Sequence, residues 1–557
     1  MVFPRLWRCF LFLLLTVPFP FAVAQHMHEA ADARAHLREA APLLEGIGNL
    51  HHAVSTKDEL AQRLFDQGLI MDYGFNHMES ERSFRYAAQI DSNLAMAWWG
   101  VALANASNLN SPIDADREKT GYEAIQKALA LKQNASPEEQ ALIDALAKRF
   151  TSEEKPDYAK LEQAYADAMA KVAHDYADDP DARTLYVDAI MNTMPWDYYE
   201  KNGDPKPGTK TGIAELESIM QRWPQHPGAN HLYIHIVEAS SSPERAVAAA
   251  ERLGPFAPNA GHLVHMPSHI WVRVGRWNDA VQANLMASKA DEEYIAQCHK
   301  QGRYPLGYYP HNLHMLTFAS MMEGRSKIAL EASEKAANQM PKDWQENPPS
   351  FSAMFLALPY FAAVRFGRWE EIIAMPAPLD KKGLVRGMWH YARGMAYARR
   401  GQFEKADMEL DAIDEILNSG NLSEYHARHN SSIPVLQIAR NTLAGETASE
   451  RGELQRATAL LRKAVDLQDH LDYDEPEDWY YGARQSLGSV LLRANRPSEA
   501  QAAFEQDLKL HPGNGWSLFG LYQSLRDQGK LAEADAAEAQ FKKAWARADV
   551  KLTAAVF

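Results

Sequence analysis

Residues 481–512, YGARQSLGSVLLRANRPSEAQAAFEQDLKLHP, carry the pattern on which the chain is built. Counted from Tyr481, small Gly488 and Ala500 stand eighth and twentieth, large Leu491 and Phe504 eleventh and twenty-fourth, and Pro512 thirty-second. Small residues at those places let two paired helices approach each other. The large ones fill the space between one pair and the next. The pattern recurs. A unit starting at Gly515 has Gly529 and Ala534, one at Gly387 has Gly394, Tyr397, Gly401 and Ala406, and one at Ala61 has Gly68, Phe84 and Ala87. Units starting at Pro227, Gly261 and Pro310 keep the small residues Ala246, Ala280 and Ala329, and weaker starts fall near Ala95, Arg183, Ala353 and Ile438.

This spacing resembles the tetratricopeptide repeat (TPR) family, whose period is about 34 residues. The resemblance covers nearly the whole chain after residue 60. It implies an all-α fold, a TPR-like α-solenoid of helix-turn-helix repeats with insertions. The departures from strict repetition are AQCHKQGRYPLGYYP at 296–310 and the loop PWDYYEKNGDPKPGTKTG at 195–212. The expected organisation is a signal peptide at 1–24, a polar N-terminal segment at 25–60, an array at 61–340 and a C-terminal array at 341–557. Within the second of these, Ser55 is the expected N-cap of a helix starting near Lys57. The family also implies a concave groove lined by positions 2, 5, 9, 12 and 13 of each first helix, which takes a small-molecule or peptide ligand.

The histidines fall on those positions. His231 and His235 are positions 5 and 9 of one unit, and Glu238 is its position 12. His262, His265 and His269 are positions 2, 5 and 9 of the next, and His311 and His314 are positions 2 and 5 of the third. Helical residues three or four apart share a face, and packed helices lie about 8–10 Å apart, so imidazoles from neighbouring units can converge on one metal or two. His77, near the start of a second helix, is an outlying candidate. Pro267 lies between His265 and His269, where a helix interior loses a hydrogen bond and kinks. Tyr308 and Tyr309, just before His311, are placed to cap the groove. His226 and His511 sit in turns and read as incidental.

The two ends of the composition narrow the chemistry. Arg5 and Arg8, the apolar run Phe10–Phe21 and Ala22-Val23-Ala24 form a secretory leader, which makes the expected location periplasmic or secreted. Losing it takes two basic residues and no acid, so the charge moves from −15 to −17. An acidic surface argues against nucleic acid and anionic membrane as partners, and no other stretch is apolar enough to span a bilayer. Of the two cysteines, Cys9 leaves with the leader and Cys298 remains, so thiolate clusters are excluded. Imidazole is the chief ligand left, with Glu238 as an oxygen ligand or proton carrier. All-histidine environments suit copper, zinc, iron and nickel; export favours copper, with zinc or iron as the other candidates. No HExxH, G-x-S-x-G or phosphate-loop motif is present. The leading expectation is an exported metalloenzyme. The alternatives are a metal-delivery protein, or a TPR scaffold whose histidines hydrogen-bond a peptide or protein partner.

Overall fold

The computed structural model describes residues 40–298, 304–381, 383–420, 422 and 430–557. The expected signal peptide, residues 1–24, lies outside the described residues. Those residues form helices joined by short connections, with two isolated β-bridges, Asn108 to Ser111 and Tyr199 to Pro205. Glu59–Tyr73 pairs with His77–Ile90, Tyr309–Met322 with Ser326–Asn338, Ala483–Arg493 with Pro497–Leu510, and Gly515–Asp527 with Leu531–Ala544. Among the described residues no helix is long and apolar enough to cross a membrane.

The repeat register is written in the backbone turns. The fifteenth residue of eight units has a positive φ: Phe75 (54°), Gly275 (77°), Gly324 (72°), Gly367 (62°), Gly401 (69°), Gly452 (80°), Asn495 (56°) and Gly529 (73°). Six of the eight are glycine, which reaches this left-handed region without the Cβ clash that other residues meet. The eighth position is equally legible in packing. Phe84 and Phe504 are fully buried. A Cβ added at Gly68 or Gly100 would come within 2.7 or 2.4 Å of the Phe84 ring, and at Gly488 or Gly520 within 2.4 or 2.3 Å of the Phe504 ring. Each phenylalanine is thus wedged between a glycine of its own unit and a glycine of the next. Gly488→Ala should lower stability by about 1–3 kcal/mol in urea unfolding, against the gain in helix propensity, because the wedge has no room to move. An unchanged midpoint would remove Phe504 from that role.

Three local differences from the sequence reading bear on the site. The first helix is capped by Asp58, whose carboxylate accepts from the N–H groups of Leu60 and Ala61. Ser55, the expected cap, instead donates its N–H and hydroxyl to Glu139. The end of the polar N-terminal segment lies on the array: Ala41, Ile47 and Val54 are buried, and Asn259 N–H donates to the Gly46 carbonyl at 2.9 Å. Pro267 splits its helix into Gly261–His265 and Pro267–Arg273, so the expected kink is a break.

Candidate metal centre

Pro227–Glu238 is buried along its whole length, because units on both sides and the N-terminal helix pack against it. Its start is fixed by His226, whose Nδ1 accepts from Ala229 N–H while its Nε2–H donates to Asp181. His226 is therefore a buried structural residue and not an incidental one. His231 donates Nδ1–H to the Tyr73 carbonyl at 2.5 Å, and His235 donates Nδ1–H to Glu238 Oε1 at 2.8 Å. A carbonyl and a carboxylate can only accept, so both rings present a bare Nε2. Those two Nε2 atoms are buried with no hydrogen-bond partner, and neither ring nitrogen of buried His262 has one. One ligand atom from each of His231, His235 and His262 lies within 4.8 Å of the others. Leaving a buried polar atom unsatisfied costs about 1–3 kcal/mol, so four such atoms on three rings that bring one ligand atom each together are a built feature and not packing residue.

A second triad adjoins the first. Ligand atoms of His265, His269 and His311 also lie within 4.8 Å of one another. His265 Nδ1 faces Asn284 Oδ1 at 2.6 Å, and the Asn284 amide nitrogen donates to the Ala280 carbonyl, which fixes that oxygen as the acceptor. His269 Nδ1 faces Glu238 Oε2 at 2.5 Å. The Nε2 atoms of His265 and His269 are 2.8 Å apart, and His311 Nε2 is 3.5 Å from that of His269. Rings of the two triads approach each other to 5.6 Å for His235 and His269, and 5.7 Å for His262 and His265.

The triads are repeats of each other. Each combines positions 5 and 9 of one first helix with position 2 of the next. The third unit begins the same set with His314 at position 5, but its position 9 is Phe318. The structure accordingly places His314 outside both triads, against the Tyr480 hydroxyl. His77 is also apart from them, held by Asp72 through Nδ1 and by Asn108 through Nε2.

Large aromatic residues wall the first triad, and sequence reasoning missed two of them. Phe75 lies 4.5 Å from the His231 ring, 5.3 Å from His262 and 5.8 Å from His235. Trp196 stands edge-on to His235 at 5.5 Å. Tyr308 meets His262 edge-on at 4.8 Å, while Tyr309, paired with it in the sequence reading, turns away to Glu292. Phe75 and Trp196 are two of the three described non-glycine residues with positive φ, at 54° and 61°. Such strain persists only where the surroundings enforce it, and it gathers at functional sites. The available signal was Phe75 itself, a phenylalanine at the turn position where most other units have glycine.

Close packing comes from Gly261, where a Cβ would fall 1.9 Å from Asp291 Oδ1. Asp291 accepts from Tyr304 and Asn312, and so ties the Tyr304–Tyr308 turn to the helix carrying His311. Burial raises the Asp291 carboxyl to about 7, despite the two donors. Burial also decides the histidines. It lowers His231 to about 3 against the raising effect of the Tyr73 carbonyl, and His235 to about 3 against that of Glu238. His262 goes well below its ordinary value, first by burial and then by its neighbouring histidines. All three rings are neutral at physiological pH. His511, which also read as incidental, is the opposite case: Glu477 and Asp507 overcome its burial and raise it to about 10.

No family model matches the chain, and no curated protein does. Solved helical-repeat structures are similar over most of its length. A human IFIT1 dimer with m7Gppp-AAAA is 12% identical, covering 85% of this chain and 94% of that one, with a TM-score of 0.33. Yeast Tom70 is 15% identical, covering 89% and 93%, at 0.27. The APC/C hetero-tetramer Cut9-Hcn1 is 12% identical, covering 94% and 81%, at 0.30. The fold is a TPR-like helical solenoid. Its paired helices and the shared turn conformation carry that statement, and the reading of the histidine centre rests on its own geometry. The groove-lining positions His231, His235, His262, His265 and His269 are buried, and Trp196 and Tyr308 lie against the first triad.

Proposed function

We propose that this chain is an exported TPR-fold metalloenzyme that holds a transition metal, copper in preference to zinc or iron, through the buried histidines. The observation that carries the reading is the first triad: three imidazoles with unsatisfied nitrogens turned toward one another, two of them oriented by a hydrogen bond at Nδ1. Metal-bound histidines have this form, with the far ring nitrogen held by a carbonyl or carboxylate that fixes the tautomer. Three protein ligands leave a coordination position open for water or substrate, as catalytic sites do and closed structural sites do not. Rigid, buried helices favour a retained, reacting metal over one in transit. Glu238, expected as a proton carrier or oxygen ligand, accepts from His235 and lies 2.5 Å from His269 Nδ1, which makes it a positioning residue in this reading.

Elemental analysis of purified protein, reconstituted with copper, tests the proposal. The wild type should retain copper through desalting, and His235→Ala combined with His269→Ala should retain almost none. Wild-type stoichiometry in the double variant would sink the site. A wild type that stays metal-free after reconstitution with copper, zinc and iron would sink metal binding.

A further inference from the structure

We infer that the centre takes two metal ions, one in each histidine triad, and that Glu238 couples their binding; this rests on the metal-binding reading above. The second triad is as well built as the first. His265 is oriented through Nδ1 by an asparagine that is itself fixed, and His269 Nδ1 lies 2.5 Å from Glu238 Oε2. Their Nε2 atoms meet at 2.8 Å, and His311 Nε2 lies 3.5 Å from that of His269. A cation drawn among these three nitrogens would replace that ring-to-ring contact with coordination.

Coupling follows from the shared carboxylate. Glu238 is fully buried; Oε1 accepts from His235 of the first triad, and Oε2 lies 2.5 Å from His269 Nδ1 of the second. A metal on either Nε2 makes that ring's Nδ1–H a stronger donor. It thereby fixes the carboxylate that orients the other ring. Each ion so preorganises the partner site. Charge narrows the ion. Six neutral imidazoles bring none, and Glu238 is the carboxylate in contact with both triads. A pair of copper(I) ions needs less compensating charge in this buried site than a divalent pair, which requires an added anion such as hydroxide.

The test is an anaerobic copper(I) titration of the metal-free full chain against a competing chelator. Wild type should bind two ions per chain, His262→Ala one and His311→Ala one. Those two residues belong to different triads and neither is bonded to Glu238. Glu238→Gln, whose amide can accept from only one of the two rings, should weaken both ions roughly tenfold to a hundredfold. Glu238→Asp, which keeps the charge and shortens the reach, should do the same in direction and serves if the glutamine variant does not fold. One ion in the wild type would overturn the second site and leave the first standing. No ion would overturn both readings. Two ions with affinities untouched by either Glu238 variant would overturn the coupling.

Discussion

Copper affinity of the first triad should stay nearly level as the pH falls from 7.5 to about 4. Protons compete with a metal for imidazole only below the pKa of the ring. For three exposed histidines of ordinary pKa, near 6.5, each pH unit below that value would cost about tenfold per ring, or about a thousandfold for the set. Here His231 and His235 are lowered to about 3 and His262 is held well below its ordinary value, so for the two oriented rings the competition begins only near pH 3. The sign is set by burial, which opposes the charged form of each ring. Global stability is a poorer readout of the same shifts. The lowered histidines contribute stability that is full above pH 6.5 and lost as the pH falls through about 3. Asp188 and Asp291, raised to about 7, act in the opposite direction across part of that window. Chelator competition at a series of pH values isolates the site. A thousandfold loss of affinity between pH 6 and 5 would show rings open to water and undo the burial argument.

The fold and half of the site were readable because both depend on spacing. Small and large residues at fixed places specify helix packing, and the turn conformation follows from the same count, as Gly275, Gly324 and Gly401 show. The histidine positions could be placed for the same reason. His262 completes the first triad because position 2 of one unit meets positions 5 and 9 of the unit before it. The fifteen-residue insertion hid the second instance of this rule, since it moves His311 to 42 residues after His269, against 27 between His235 and His262. What spacing does not encode is rotamer and enclosure. Glu238 was visible as a groove residue, but that its two oxygens take one ring from each triad depends on side-chain direction. Tyr308 was placed at the groove by its nearness to His311, but the loop bearing Trp196 reaches His235 from a more distant part of the sequence.

Phe75→Gly should release copper to a chelator tenfold to a hundredfold faster while leaving the number of bound ions unchanged. The native φ of 54° belongs to a turn whose hydrogen bonds, Asn76 N–H to the Met71 carbonyl and Phe75 N–H to that of Asp72, leave no other conformation. A non-glycine residue there carries strain of about 1–3 kcal/mol. Glycine would relieve it, as it does at the same place in Gly324 and Gly529. The ring is what glycine removes. It lies against all three histidines of the first triad and against Tyr308, so its loss admits water to the coordination position and lowers the barrier to ligand exchange. Phe75→Leu, which keeps the strain and part of the volume, should fall between glycine and wild type. A ring that merely filled the core would give a different result: both variants would lose stability equally with and without copper, and release would be no faster. The comparison separates a residue strained to close a metal centre from one strained to fill space, because only the first trades backbone comfort for the retention of an ion.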